Sequence, residues 1–177
     1  MRNTKNANKA VYLTLLLLVA AVVVLVLINS GDAELRRALE ENREFRVLID
    51  GEPAATIGLG ALLGVEPQEF AATLASSVGL PREVTLKGVE LRQLLETLDI
   101  DAAQASMIVV SGMDGYVSPL TNAEVNKAEN VYICYSMDGA VLKTQSEGGY
   151  GPFLMVIRSE RFAQRWCKYV DTVDVRR

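Results

Sequence analysis

The stretch VTLKGVELRQLLETLDID, Val84 to Asp101, decides the fold class. Its first residues are β-prone and run to Gly88, after which Leu91, Leu94, Leu95 and Leu98 recur at helical spacing. The expected order is strand, tight turn at Gly88 and buried helix. Downstream, ASMIVVSGMDGYVSPLT, Ala105 to Thr121, reads as a buried strand, a turn at Asp114-Gly115 and a second strand. NVYICYSMDGAVL, Asn130 to Leu142, repeats that hairpin with its turn at Asp138-Gly139. Because helices do not alternate regularly with strands, the domain is expected to be α+β with a mixed or antiparallel sheet.

Upstream, EFRVLIDG, Glu44 to Gly51, alternates Phe45, Val47 and Ile49 with polar residues and ends in a turn. Leu59, Leu62 and Leu63 predict a short helix cut off by Gly64 and Pro67, and FAATLASSVG, Phe70 to Gly79, is the next candidate strand. Near the other end, PFLMVI is a core strand, and VDTVDV, with Val170, Val173 and Val175 between acids, is expected as an outer one.

The first 43 residues differ in character. AVYLTLLLLVAAVVVLVLI, Ala10 to Ile28, has no charge, Pro or Gly, and at about 1.5 Å per residue it matches a ~30 Å hydrocarbon core. Arg2, Lys5 and Lys9 precede it and Asp32 and Glu34 follow, which predicts a cytoplasmic N-terminus. The expected organisation is a cytoplasmic segment 1–10, a single-pass transmembrane signal anchor 11–28, a stalk 29–43 and an extracytoplasmic domain 44–177. The membrane is then a partner through the N-terminal helix, with a membrane protein as a further candidate partner.

Charge and inventory exclude several functions. Three of the 18 basic residues precede the apolar run and all 22 acidic ones follow it; 15 basic against 22 acidic leaves the rest of the chain at −7. That balance argues against nucleic acid as a partner. With no histidine, Ser111 and Ser136 have no base for a Ser-His hydrolase, and zinc or haem of the usual kind has no ligands. Cys134 and Cys167 are the only thiols, and their number leaves both a disulfide and two separate buried thiols open. Asp114 and Asp138 each precede a Gly in an expected turn, where turn geometry explains them.

One constellation points to binding. Gly148, Gly149 and Gly151 open the strand PFLMVI, and Arg158, Arg161, Arg165 and Lys168 follow it. Glycine amides and cations together could hold an anionic small molecule such as a phosphate. From composition alone, a solvated basic loop is the stronger reading. Trp166 is the aromatic expected near a ligand or partner surface.

The order LKGVELRQLLETLDID, MIVVSGMDGYVSPL, VYICYSMDGAVL, GGYGPFLMVI, RWCKYVDTVDV resembles the molybdopterin-binding domain of the sulfite oxidase family, over roughly Phe45 to Val175. The resemblance implies a sulfite oxidase-type α+β fold with a mixed β-sheet. It also implies that Arg165 and Lys168 contact the pterin pyrophosphate, with Gly148, Gly149 and Gly151 in the glycine-rich approach to it. The family's molybdenum-ligating Cys would fall in FAATLASSVGLPREVTLKG, which has none; Ser76 or Ser77 stands about there, a hard, protonated hydroxyl in place of a soft thiolate. Glu147 and Met155 stand near where the family often has a His and an Arg.

Two functions follow. The favoured one is a non-redox binding or interaction module with a degenerate metal site, with no catalytic residue, no metal and no favoured cofactor. The alternative is a molybdopterin-dependent oxidoreductase acting on a small extracytoplasmic oxyanion, its metal held by the cofactor's dithiolene alone or with Ser77.

Overall fold

The computed structural model describes residues 12–24, 41, 43–74, 81–160 and 163–177. The chain divides into two units, Met1–Arg37 and Ala38–Arg177.

In the first unit the described residues form one helix, α1, residues 12–24, with exposed leucines and valines. No helix among the described residues is long and apolar enough to cross a membrane. That finding overturns the single-pass anchor over 11–28, and with it the membrane location inferred for the domain. Most of the expected stalk, 29–43, lies outside the described residues.

The second unit contains two five-stranded sheets. The first is built from β1 (Glu44–Ile49), β2 (Glu52–Gly58), β5 (Met107–Gly112), β6 (Val117–Leu120) and β10 (Val170–Arg176), in the order β2-β1-β10-β5-β6. Asp50 and Gly51 both take positive φ, 52° and 83°, as the two-residue turn between β1 and β2 requires. β10 runs parallel to β1, Val47 opposite Val173, and antiparallel to β5, so the sheet is mixed. The expected outer strand is therefore central: Val173 and Val175 are buried, and so is Asp174. The Asp174 carboxylate accepts from the Gly51 N–H at 3.0 Å and from Arg176 Nε at 2.9 Å, which satisfies it inside the layer.

The second sheet holds β3 (Gln68–Leu74), β4 (Arg82–Glu90), β7 (Val131–Met137), β8 (Ala140–Val141) and β9 (Leu154–Ile157), in the order β3-β4-β7-β8 with β9 also on β7. Residues Val131 to Ser136 are buried without alternation, which marks a strand covered on both faces. Gly88 is not a turn. β4 continues through it, and a Cβ there would sit 2.5 Å from the Ile133 carbonyl oxygen and 2.6 Å from Cys134 Cα, so glycine lets β4 and β7 approach.

Helix α2 (Leu59–Leu63) forms where the leucine spacing places it, and α3 (Leu91–Glu96) buries Leu91, Leu94 and Leu95. Helix α4 (Asn122–Asn126) starts in a capping box: Thr121 accepts from the Glu124 N–H, and the Glu124 carboxylate accepts from the Thr121 N–H at 2.9 Å. Phe45 on β1 meets Phe153, just before β9, edge to face at 5.1 Å, so a buried aromatic pair joins residues of the two sheets.

Candidate functional site

The glycine loop follows a single 3-10 turn, Gln145–Glu147, and Gly148 closes it with φ 74°. Its amides are used within the loop. Gly148 N–H donates to Gln145 O at 3.0 Å, Gly149 N–H to Thr144 O at 2.9 Å and Gly151 N–H to Lys143 O at 2.7 Å. The glycines are needed because the chain crosses itself here: a Cβ on Gly149 would lie 2.1 Å from Lys143 O, and one on Gly151 would lie 2.6 Å from Leu142 Cβ.

The segment 163–170 runs beside this loop. Tyr169 N–H donates to Tyr150 O at 3.1 Å, Val170 N–H to Phe153 O at 3.0 Å, and Cys167 exchanges two backbone bonds with Met155. Lys168 is exposed, and its Nζ stands 4.5 Å from the centre of the Tyr150 ring, a cation–π contact. The structure thus brings Lys168 and the glycine loop together.

Arg165 points elsewhere. Its Nη2 donates to Glu124 Oε1 at 2.6 Å, its Nη1 to Pro119 O at 3.2 Å, and its Nε to Glu160 Oε1. Its backbone N–H also donates to Glu160, at 3.1 Å. The hydrogen bond from Arg165 pulls the Glu124 carboxyl down to about 2, and the same bond raises Arg165 above its ordinary range. Ser118 Oγ, donating to Arg165 O at 2.7 Å, and the Tyr116 hydroxyl, donating to Gln164 O at 2.9 Å, fasten the segment along β6. Trp166 is buried, its indole N–H on Ile157 O at 3.2 Å, so it packs in the core and does not line a surface.

Of the remaining expected cations, Arg158 does not converge on the loop. Arg158 lies over Phe70, 4.8 Å from its ring centre, and reaches Glu129 at 3.4 Å. Arg161 lies outside the described residues, as do Ser76 and Ser77.

Both cysteines are free and buried. On β7, Cys134 pairs with Leu154 while its neighbour Ile133 pairs with Met155, the residue opposite Cys167. Alternation therefore sends the two thiols to opposite faces, which settles the open question in favour of separate thiols. Burial raises the Cys134 thiol, and burial with the Asp114 charge pushes Cys167 up to about 12, so both stay protonated. Among the described residues no three His, Cys, Asp or Glu side chains gather as metal ligands. Asp114 and Asp138 serve turns and strand ends, accepting from Tyr116 N–H at 3.1 Å and Thr85 N–H at 2.9 Å.

A groove of about 420 Å³ lies between the β1–β2 turn and the end of β10, lined by Asp50, Gly51, Ser106, Asp174, Arg176 and Arg177. No residue singled out from the sequence lines it. Glu124 and Glu160 are the charged residues that sequence reasoning missed. The pattern Thr121-x-x-Glu124 signals a helix start, but nothing local ties it to an arginine 41 positions away.

A solved structure with a similar fold is the sulfane dehydrogenase SoxCD from Paracoccus pantotrophus, at 15% identity and a TM-score of 0.61, over 76% of this chain and 38% of that one. At that identity the likeness speaks for the fold alone, and this chain spans well under half of that protein. No curated protein matches the chain. The family described as oxidoreductase molybdopterin binding domain matches residues 42–177, which takes in every strand of both sheets. On that match the chain is a member of the oxidoreductase molybdopterin-binding domain family.

Proposed function

We propose that this chain is a non-redox member of its family, a binding or interaction module without a working metal centre. The observation that carries this reading is the placement of the thiols: the only two in the chain are buried, Cys134 in the β7–β9 pairing and Cys167 opposite Met155. A soft metal needs a deprotonated sulfur at an open site. The segment where the family resemblance places that ligand contains no Cys, and Ser76 or Ser77 stands about where the thiolate would be. These residues do not fit a molybdenum held by a protein thiolate, and no chemical step is routed through one.

The scaffold supports ligand holding better than catalysis. Lys168, exposed beside Tyr150 and the glycine loop, supplies a cation for a small anionic ligand. Elemental and pterin analysis of the full chain, purified from a host that makes molybdenum cofactor, tests the proposal. The expected result is no stoichiometric molybdenum. Pterin without metal marks a ligand-binding module, and neither marks an interaction module. Stoichiometric molybdenum and pterin, lost on Lys168→Ala, would overturn it in favour of an oxidoreductase.

A further inference from the structure

We propose that Glu124 and Glu160 are a built-in anion that closes Arg165 to phosphate-bearing ligands. A guanidinium recognises a phosphate through two parallel N–H bonds. On Arg165 each such edge is taken: Nε is held by Glu160, Nη2 by Glu124 at 2.6 Å, and Nη1 by Pro119 O at 3.2 Å. One positive charge faces two negative ones, so an approaching phosphate meets a cluster of net charge −1.

Both carboxylates are held in place without Arg165's side chain. Glu124 is fixed by its capping box, accepting from the Thr121 N–H at 2.9 Å and the Thr121 hydroxyl at 3.0 Å. Glu160 is fixed by the Arg165 backbone N–H at 3.1 Å. They are preorganised acceptors, and an external anion would have to displace them or share the arginine with them. The arginine is thereby turned from ligand recognition to fastening segment 163–167 against β6 and α4, while Lys168 stays at the glycine loop. The inference rests on the non-redox reading in one respect, that no cofactor phosphate already sits on Arg165.

The test titrates inorganic pyrophosphate into the full chain at low salt, by calorimetry and by the fluorescence of Trp166, the only tryptophan and the neighbour of Arg165. Wild type is compared with Glu124→Gln/Glu160→Gln, which keeps side-chain acceptors for the capping box and the loop. The double variant is expected to bind at least tenfold tighter than wild type, and adding Arg165→Gln should abolish the gain. Equal binding by wild type and double variant, or a gain that survives Arg165→Gln, would overturn the proposal. If the double variant does not fold, Glu160→Gln alone carries the test: a gain of about threefold supports the proposal and no gain overturns it. Pterin content is measured on the same wild-type sample. Pterin that persists in Arg165→Gln would mark the ligand-binding form of the non-redox reading and leave the closed arginine standing, whereas pterin lost in Arg165→Gln would overturn the closure itself.

Discussion

Alanine at Gly149 should destabilise the protein far more than alanine at Gly148, although the two are adjacent in one loop. At Gly149 the added Cβ would lie 2.1 Å from Lys143 O and 2.5 Å from Lys143 C, both backbone atoms. The loop must open to admit it, at an overpacking cost of about 1–3 kcal/mol. Opening also weakens the bonds from Gly149 to Thr144 and from Gly151 to Lys143, each worth about 1 kcal/mol. The expected loss is about 3–5 kcal/mol. At Gly148 the Cβ meets nothing within 4 Å, and only the left-handed φ of 74° penalises it, by about 1–2 kcal/mol. Urea unfolding followed by Trp166 fluorescence gives both values, with an unchanged denaturant slope as the sign of a pure stability change. A Gly149→Ala variant no less stable than Gly148→Ala would refute the crossing-chain explanation of this glycine.

Glu124 titrates near 2 in the folded protein against an ordinary 4.5, so its contribution is fully present above about pH 4.5 and is lost as the pH falls through about 2. Glu124→Gln should therefore cost about 1–2 kcal/mol at pH 7, and the difference from wild type should shrink in urea titrations between pH 4.5 and 2; a constant difference would contradict the ion pair. An aromatic disulfide reagent should titrate no thiol in the native protein and two in urea without reductant, and two fast-reacting native thiols would contradict the burial of Cys134 and Cys167. Phe153→Ala, which empties a fully buried position against Phe45, should cost about 3–5 kcal/mol by the same urea assay; a loss under about 1 kcal/mol would mean that the site collapses or is not packed.

Local chemistry made much of this fold legible. Asp50-Gly51 and Asp138-Gly139 are where the chain must take positive φ twice in succession, and both residue pairs announce it. The leucines of α2 and α3 show their buried faces by spacing alone. Gly88 misled because a glycine needed for close strand approach looks the same in sequence as one needed for a turn. β10 misled because Asp174 lies among valines, and its burial depends on a distant hairpin amide and on Arg176. At the candidate site the sequence placed Lys168 beside the glycine loop through family resemblance, but the carboxylates on Arg165 come from α4 and from a loop. The apolar run misled in another way: its composition predicts a membrane span, and no helix among the described residues is long and apolar enough to be one.

The central place of β10 has a consequence for how the domain is made. The first sheet is two hairpins, β1–β2 and β5–β6, joined only through β10, whose register with β1 pairs Val47 with Val173. Until that strand reaches the folding unit, each hairpin presents an unmatched row of amides and carbonyls, the template on which chains aggregate. Assembly of this sheet is therefore dominated by contacts distant in sequence, which places it among slow-folding topologies. A nascent chain stalled before residue 170 would hold two half-sheets with nothing between them.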